Sequence, residues 1–155
     1  MLLAKLGAVS ALVLALTATP VLAAPATRDL AQEEANRTLV LDFYNRFFNQ
    51  HDVAEASKLM VDDYRQHNPH VPDGKAPMVG YFTEHFKNNP GAKATVVRSA
   101  TDGDLVYLHV HSQTSAQDRG VAIVDIFRVK DGKIVEHWDV IQAIPEKAAN
   151  DNSMF

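Results

Sequence analysis

The segment Val124-Asp125-Ile126-Phe127-Arg128-Val129-Lys130-Asp131-Gly132-Lys133-Ile134-Val135-Glu136-His137-Trp138-Asp139-Val140-Ile141 decides how the rest of the chain is read. Two runs of aliphatic and aromatic residues flank Asp131-Gly132, a dipeptide suited to a tight β-hairpin turn. Three ionisable groups, Asp125, His137 and Asp139, interrupt those runs. An ionised group on a buried strand is costly unless it is paired or used, so the hairpin is expected to line a pocket with polar groups in its wall.

His137 and Asp139 are two residues apart and share one face of their strand in any register. Asp125 depends on the turn. A two-residue type I′ turn at Asp131-Gly132 pairs Lys130 with Lys133 and puts Asp125 opposite Trp138, away from His137. A three-residue loop with Gly132 in a left-handed bulge pairs Val129 with Lys133 and puts Asp125 opposite His137. The second avoids opposing two lysines, a repulsion of roughly a few tenths of a kcal/mol, and is the expected register. Val124, Ile126, Ile134, Trp138 and Val140 then form an apolar face turned away from His137. A soluble monomer seldom exposes such a face, which implies a homodimer.

Outward from the hairpin the chain reads as helices followed by strands. From about Glu33 to Asn49, Leu39, Val40, Phe43, Tyr44, Phe47 and Phe48 recur at three- and four-residue spacing, the mark of a helix with one wide apolar face. A short helix is expected from Val53 to Met60 after Asp52 as N-cap. Tyr64 to Pro69 reads as an extended piece closed by Pro69, Pro72 and Asp73-Gly74. A third helix spans Pro77 to Lys87 and stops before Asn88-Asn89-Pro90-Gly91. Ala94 to Ser99, Leu105 to Ser112, Val121 to Val129 and Lys133 to Ile144 are strands of an antiparallel meander, so the order is α+β.

The first 23 residues are expected to be a signal peptide. Lys5 precedes the apolar run Leu6 to Leu16, and Pro20-Val21-Leu22-Ala23 ends in small residues suited to cleavage after Ala23. Residues 24–155 then form a single exported domain, secreted or periplasmic, of about 130 residues. The 155 residues include no cysteine, which excludes disulfides, thiol catalysis and thiolate metal ligation. With 46% apolar residues the chain has material for an ordinary core. A formal net charge of −4 with scattered basic residues offers no stripe for nucleic acid, and no second apolar span follows the leader. A small molecule is the expected partner. Neither a Gly-rich phosphate loop nor a dinucleotide fingerprint is present, and no cofactor is expected.

Seven histidines make this residue type informative. His109-Val110-His111 sits in a strand pattern, so both imidazoles share a face. Leu105 and Tyr107 precede them on that face, and His109, His111, His137 and Asp139 are expected to line one enclosed pocket.

Tyr64-Arg65-Gln66-His67-Asn68-Pro69, Gly103-Asp104-Leu105-Val106, His109-Val110-His111 and the hairpin ending Gly132-Lys133-Ile134-Val135-Glu136-His137-Trp138-Asp139-Val140 together resemble the SnoaL-like polyketide cyclase branch of the nuclear transport factor 2-like superfamily. The resemblance covers nearly all of the mature chain. It implies a cone-shaped α+β barrel, in which three N-terminal helices close a curved antiparallel sheet over one deep pocket. Relatives of this type include aldol cyclases, ketosteroid isomerase, scytalone dehydratase and limonene epoxide hydrolase. The cyclase type carries an acid/base residue on the last strand, here matched by Asp139. The epoxide hydrolase type has an Arg-x-Asp pair where this chain has His109-x-His111, a departure that argues against epoxide hydrolysis.

The resemblance thus implies proton-transfer chemistry on a small carbonyl or hydroxy compound. Asp139 would be the general base, His137 its orienting partner, and His109 and His111 the groups that polarise the substrate oxygen. His67 and Asn68 would position the substrate, with Asp125, Tyr44 and Phe127 in the binding wall. Two alternatives stand beside it: a non-catalytic binder of a small apolar ligand, and a metal site built on His109 and His111 with His67, His137 or Asp139. A shared fold does not choose among them.

Overall fold

The computed structural model describes residues 27–155; the expected signal peptide lies outside the described residues. Helix α1 spans Leu30–Tyr44 and runs on through a π-helical turn, Asn45–Asn49. A short helix α2, Val53–Ala56, leads through a 3₁₀ turn, Ser57–Leu59, into strand β1, Met60–Gln66. Helix α3 covers Lys75–Asn88. Strands β2 (Lys93–Asp102), β3 (Leu105–Gln113), β4 (Val121–Lys130) and β5 (Lys133–Ala143) follow as the expected meander.

The sheet order is β1-β5-β4-β3-β2. Strands β2 to β5 pair antiparallel, but β1 lies parallel to β5, so the curved sheet is mixed rather than wholly antiparallel. Helix α3 and strands β2 to β4 lie between β1 and β5 and supply the long connection that a parallel pair requires. β1 also begins at Met60, where the second helix was expected to end.

One face of the sheet carries the core. Val106, Leu108 and Val110 of β3, Phe127 and Val129 of β4 and Ile134 of β5 are buried with Val40, Phe43, Tyr44 and Phe47 of the first helix. The aromatic rings interlock, Phe43 lying 5.9 Å from Phe127 and Tyr44 4.4 Å from Phe48. Offset and edge-on contacts of this kind add to the burial itself, which at about 25 cal/mol per Å² is the main stabilising term.

The hairpin register is neither of the two expected. Asp131 (φ 50°) and Gly132 (φ 69°) both have positive φ, and Lys130 pairs with Lys133, as a two-residue turn requires. That ladder holds only to Val129 opposite Ile134. Arg128 then pairs with Glu136, so Val135 is an extra residue on β5, a β-bulge. The slip of one residue turns Asp125 onto the face of His137 and Asp139, with Asp139 as its direct partner. The bulge thus sits on Val135, not on Gly132. It also places Ile134 in the core, so Ile134 is no part of the outer apolar face, on which Val124 and Val140 are exposed.

At the far end, Glu33 on the first turn of α1 is buried. It accepts hydrogen bonds from the Arg28 guanidinium and, at 2.8 Å, from Thr101 Oγ1, tying the helix start to the end of β2. The Arg28 hydrogen bond, followed by that of Thr101, holds its carboxyl down to about 2. A depressed folded-state value stabilises the fold above the ordinary carboxylate range and is lost as pH falls toward the folded value. Glu33→Gln is therefore expected to flatten the acid limb of stability between about pH 4.5 and 2. Urea midpoints across that range check it; an acid limb as steep as in the unsubstituted protein would remove Glu33 as its cause.

Candidate active site

The inner face of the hairpin opens on a cavity of about 530 Å³. Asp125, Phe127, His137 and Asp139 line its wall, Tyr44 and Phe48 reach it from the first helix, and Met78, Tyr81, Phe82, His85 and Phe86 cover it from α3. Gln66 and Asn68 border it from β1 and the turn that follows.

His137 anchors the polar wall. Its ring is buried, 4.7 Å from Phe127 and 6.5 Å from Tyr64 between centroids. Nδ1 lies 2.9 Å from Gln66 Oε1, and Nε2 lies 2.9 Å from Asp125 Oδ1. Gln66 Oε1 also accepts from the Asn68 backbone N–H at 3.0 Å, which sets the amide orientation, so Nδ1 must be the donor to Gln66. One proton therefore lies between Nε2 and Asp125 Oδ1, borne by the imidazole or by the acid.

The other oxygen of Asp125 accepts from Tyr44 O–H at 2.7 Å, inside the protein. Burial, and after it the charge of Asp125, holds the Tyr44 phenol well above its ordinary value. Tyr64 is raised for the same first reason. Tyr44 thus stays neutral and remains a donor throughout the physiological range.

Asp139 is set differently. Asn68 Nδ2 donates to its Oδ2 at 2.7 Å, while Asn68 Oδ1 accepts from the His70 backbone N–H at 2.9 Å in an Asx turn that spans Pro69. Among the described residues this is the one hydrogen bond to the Asp139 side chain, and no Lys or Arg forms an ion pair with Asp125 or Asp139. Asp139 is half-buried and keeps an oxygen free at the cavity, directly across the ladder from Asp125. Ligand atoms of Asp125, His137 and Asp139 all lie within 4.8 Å of one another.

The structure brings together Tyr44, Asn68, Asp125, Phe127, His137 and Asp139, and it removes three expected members. His109 and His111 pair with Val124 and Ala122, on the sheet face opposite Asp125. There His109 Nδ1 meets Arg98, His111 Nε2 meets the Arg119 carbonyl, and Phe155 lies 4.5 Å from the His111 ring. Their strand has Val106, Leu108 and Val110 on its other face, and the more apolar face takes the inside. His67 is also outside, stacked 4.6 Å from Trp138 and 2.8 Å from Glu136 Oε1. Neighbouring residues of an extended segment point to opposite sides, so Asn68 borders the cavity while His67 faces away from it.

Gln66, which orients His137, had no role in the sequence reading. Alternation from Asn68 was the available signal, but its partner depends on the parallel pairing of Gln66 with His137 across β1 and β5.

The SnoaL-like domain family matches residues 40–137. No curated protein sequence matches the chain. Among solved structures, the chain is similar to a candidate ketosteroid isomerase from Kribbella flavida DSM 17836, at 20% identity and TM-score 0.63 over 77% of this chain and 86% of that one. It is similar also to an NTF2-like protein of unknown function from Mesorhizobium loti, at 23% identity and TM-score 0.59 over 72% and 94% of the two chains. A SnoaL-like protein of unknown function from Burkholderia thailandensis E264 is 16% identical with TM-score 0.58, over 77% of this chain and all (100%) of that one. At such identities the likeness is one of fold.

Tyr44→Phe removes the buried donor to Asp125 and leaves that oxygen without its partner, so it is expected to cost about 1 to 3 kcal/mol. The double replacement His109→Gln with His111→Gln, outside the cavity, should stay within about 0.5 kcal/mol. Urea unfolding of the two variants checks the contrast; equal losses would contradict the assignment of faces.

Proposed function

This chain belongs to the SnoaL-like domain family, and from that premise we propose that it is an exported small-molecule enzyme that moves a proton on a carbonyl or hydroxy compound, in the manner of an aldol cyclase, isomerase or dehydratase. The observation that supports this reading best is the half-buried Asp139, with one oxygen held by Asn68 and the other free at an otherwise largely apolar cavity. A carboxylate so placed is a general base within reach of a bound C–H or O–H group.

Asn68 fixes the rotamer of the base. The proton between His137 and Asp125 is the acid that meets the developing charge on the substrate oxygen, with Gln66 and Tyr44 holding the pair in place. Aromatic side chains of α3 and Phe127 supply apolar walls that exclude water and strengthen both interactions. His109 and His111 have no part in this scheme.

The reading includes export, cleavage after Ala23, and a second copy of the chain against the outer face of the sheet, where Val124 and Val140 are exposed. Native mass measurement on protein recovered from the exported fraction is expected to give a dimer of chains that begin at Ala24; a monomer, or chains that retain Met1, would remove the corresponding part.

Asp139→Asn keeps the shape and removes the proton acceptor. Across a panel of β-hydroxy ketones, enones and epoxides, turnover should fall on the order of 100- to 10,000-fold, while the fold changes by no more than about 1 to 2 kcal/mol. Turnover undiminished in Asp139→Asn would move the base to Asp125 or His137. No turnover by the unsubstituted protein, with tight retention of one apolar molecule, would replace the enzyme by a binder.

A further inference from the structure

The three acid/base groups have a second property, visible in how their atoms are divided. Each of them uses its outer atom on a supporting neighbour: His137 Nδ1 on Gln66, Asp125 Oδ2 on Tyr44, Asp139 Oδ2 on Asn68. Each leaves an inner atom, and one ligand atom from each residue lies within 4.8 Å of the other two. A ring nitrogen whose partner N–H is held by an amide oxygen, beside carboxylates that are themselves hydrogen-bonded, is how proteins orient and tune metal ligands.

Charge points the same way. Two carboxylates share one imidazole, and no Lys or Arg among the described residues is ion-paired to either acid. One negative charge is left over at an apolar cavity, where it is costly. A divalent ion at the centre would take the place of the shared proton and remove the mutual repulsion of Asp125 and Asp139, which pair directly across β4 and β5.

We infer that Asp125, His137 and Asp139 form a binding site for a divalent first-row transition ion. The donors are one imidazole nitrogen and two carboxylate oxygens, a set suited to Zn²⁺, Mn²⁺ or Co²⁺ and poorly suited to soft Cu(I). Tetrahedral zinc with bonds of about 2.0 to 2.1 Å needs ligand atoms roughly 3.3 Å apart. His137 Nε2 and Asp125 Oδ1, at 2.9 Å, are a few tenths of an ångström short of that. Asp139, the third donor, has a ligand atom within 4.8 Å of both and borders the cavity. The inference goes beyond the acid/base reading, because an ion here takes the atoms which that chemistry needs and acts as its inhibitor.

Zn²⁺ is titrated by calorimetry into chelator-stripped protein without substrate. One equivalent is expected to bind, with affinity about 10- to 100-fold weaker in Asp139→Asn and unchanged in the His109→Gln, His111→Gln double variant. Co²⁺ added to the unsubstituted protein should shift and broaden the NMR signals of the His137 ring and leave those of His109 and His111 sharp, a readout independent of any variant's folding. No saturable binding, binding undiminished in Asp139→Asn, or Co²⁺ effects confined to the outer histidines would each overturn the site. Turnover measured in excess chelator tests the proton-transfer reading separately, so either proposal can fail alone.

Discussion

The contact between His137 Nε2 and Asp125 Oδ1, 2.9 Å long and closed off from water, requires three separate pieces of the fold to agree. Val135 must bulge from β5, or the tight turn would carry Asp125 to the outer face. Strand β1 must lie parallel to β5, or Gln66 would not meet Nδ1 and Asn68 would not meet Asp139. The first helix must lie across the sheet, or Asp125 would lose the Tyr44 hydroxyl. A buried polar network is stable only when every member is satisfied, so a failure in any of these pieces is felt at the pair.

Carboxylates inside this protein are treated in two opposite ways. Glu33 meets a full positive charge from Arg28 and a hydroxyl from Thr101, and its carboxyl is held down to about 2. That is a tie between helix and sheet, with nothing left over for a ligand. Asp125 and Asp139 have one imidazole between them and neutral donors at their outer oxygens. The incomplete compensation sits beside a cavity, while the complete one sits at the end of the sheet.

The outer face of the sheet is less apolar than its sequence pattern implies. Arg128 bonds Glu136 at 2.9 Å and Asp104 at 2.7 Å, and its guanidinium lies 5.5 Å from the centre of the Trp138 ring. His67 stacks on the same ring and bonds Glu136, whose carboxyl is lowered first by that bond and then by the pull of Arg128 against burial. Trp138 therefore belongs to a polar cluster, and what stays open and apolar narrows to the neighbourhood of Val124 and Val140.

Local pattern carried the helices, the meander and the shared face of His137 and Asp139, because periods of 3.6 and 2 are properties of contiguous residues. It could have separated His67 from Asn68, and it held the hint that Val106, Leu108 and Val110, more apolar than the histidines between them, would take the inside. The place of Asp125 was beyond it. Turn chemistry at Asp131-Gly132 was readable, but a bulge at Val135 depends on which residues must fill the core, and Ile134 takes that place only against the helices packed over it. The partners of the site, Gln66 to His137 and Tyr44 to Asp125, join residues 71 and 81 positions apart. Such pairings are chosen by packing of whole elements, where burial of large apolar faces outweighs any single hydrogen bond, and only the tertiary structure decides them.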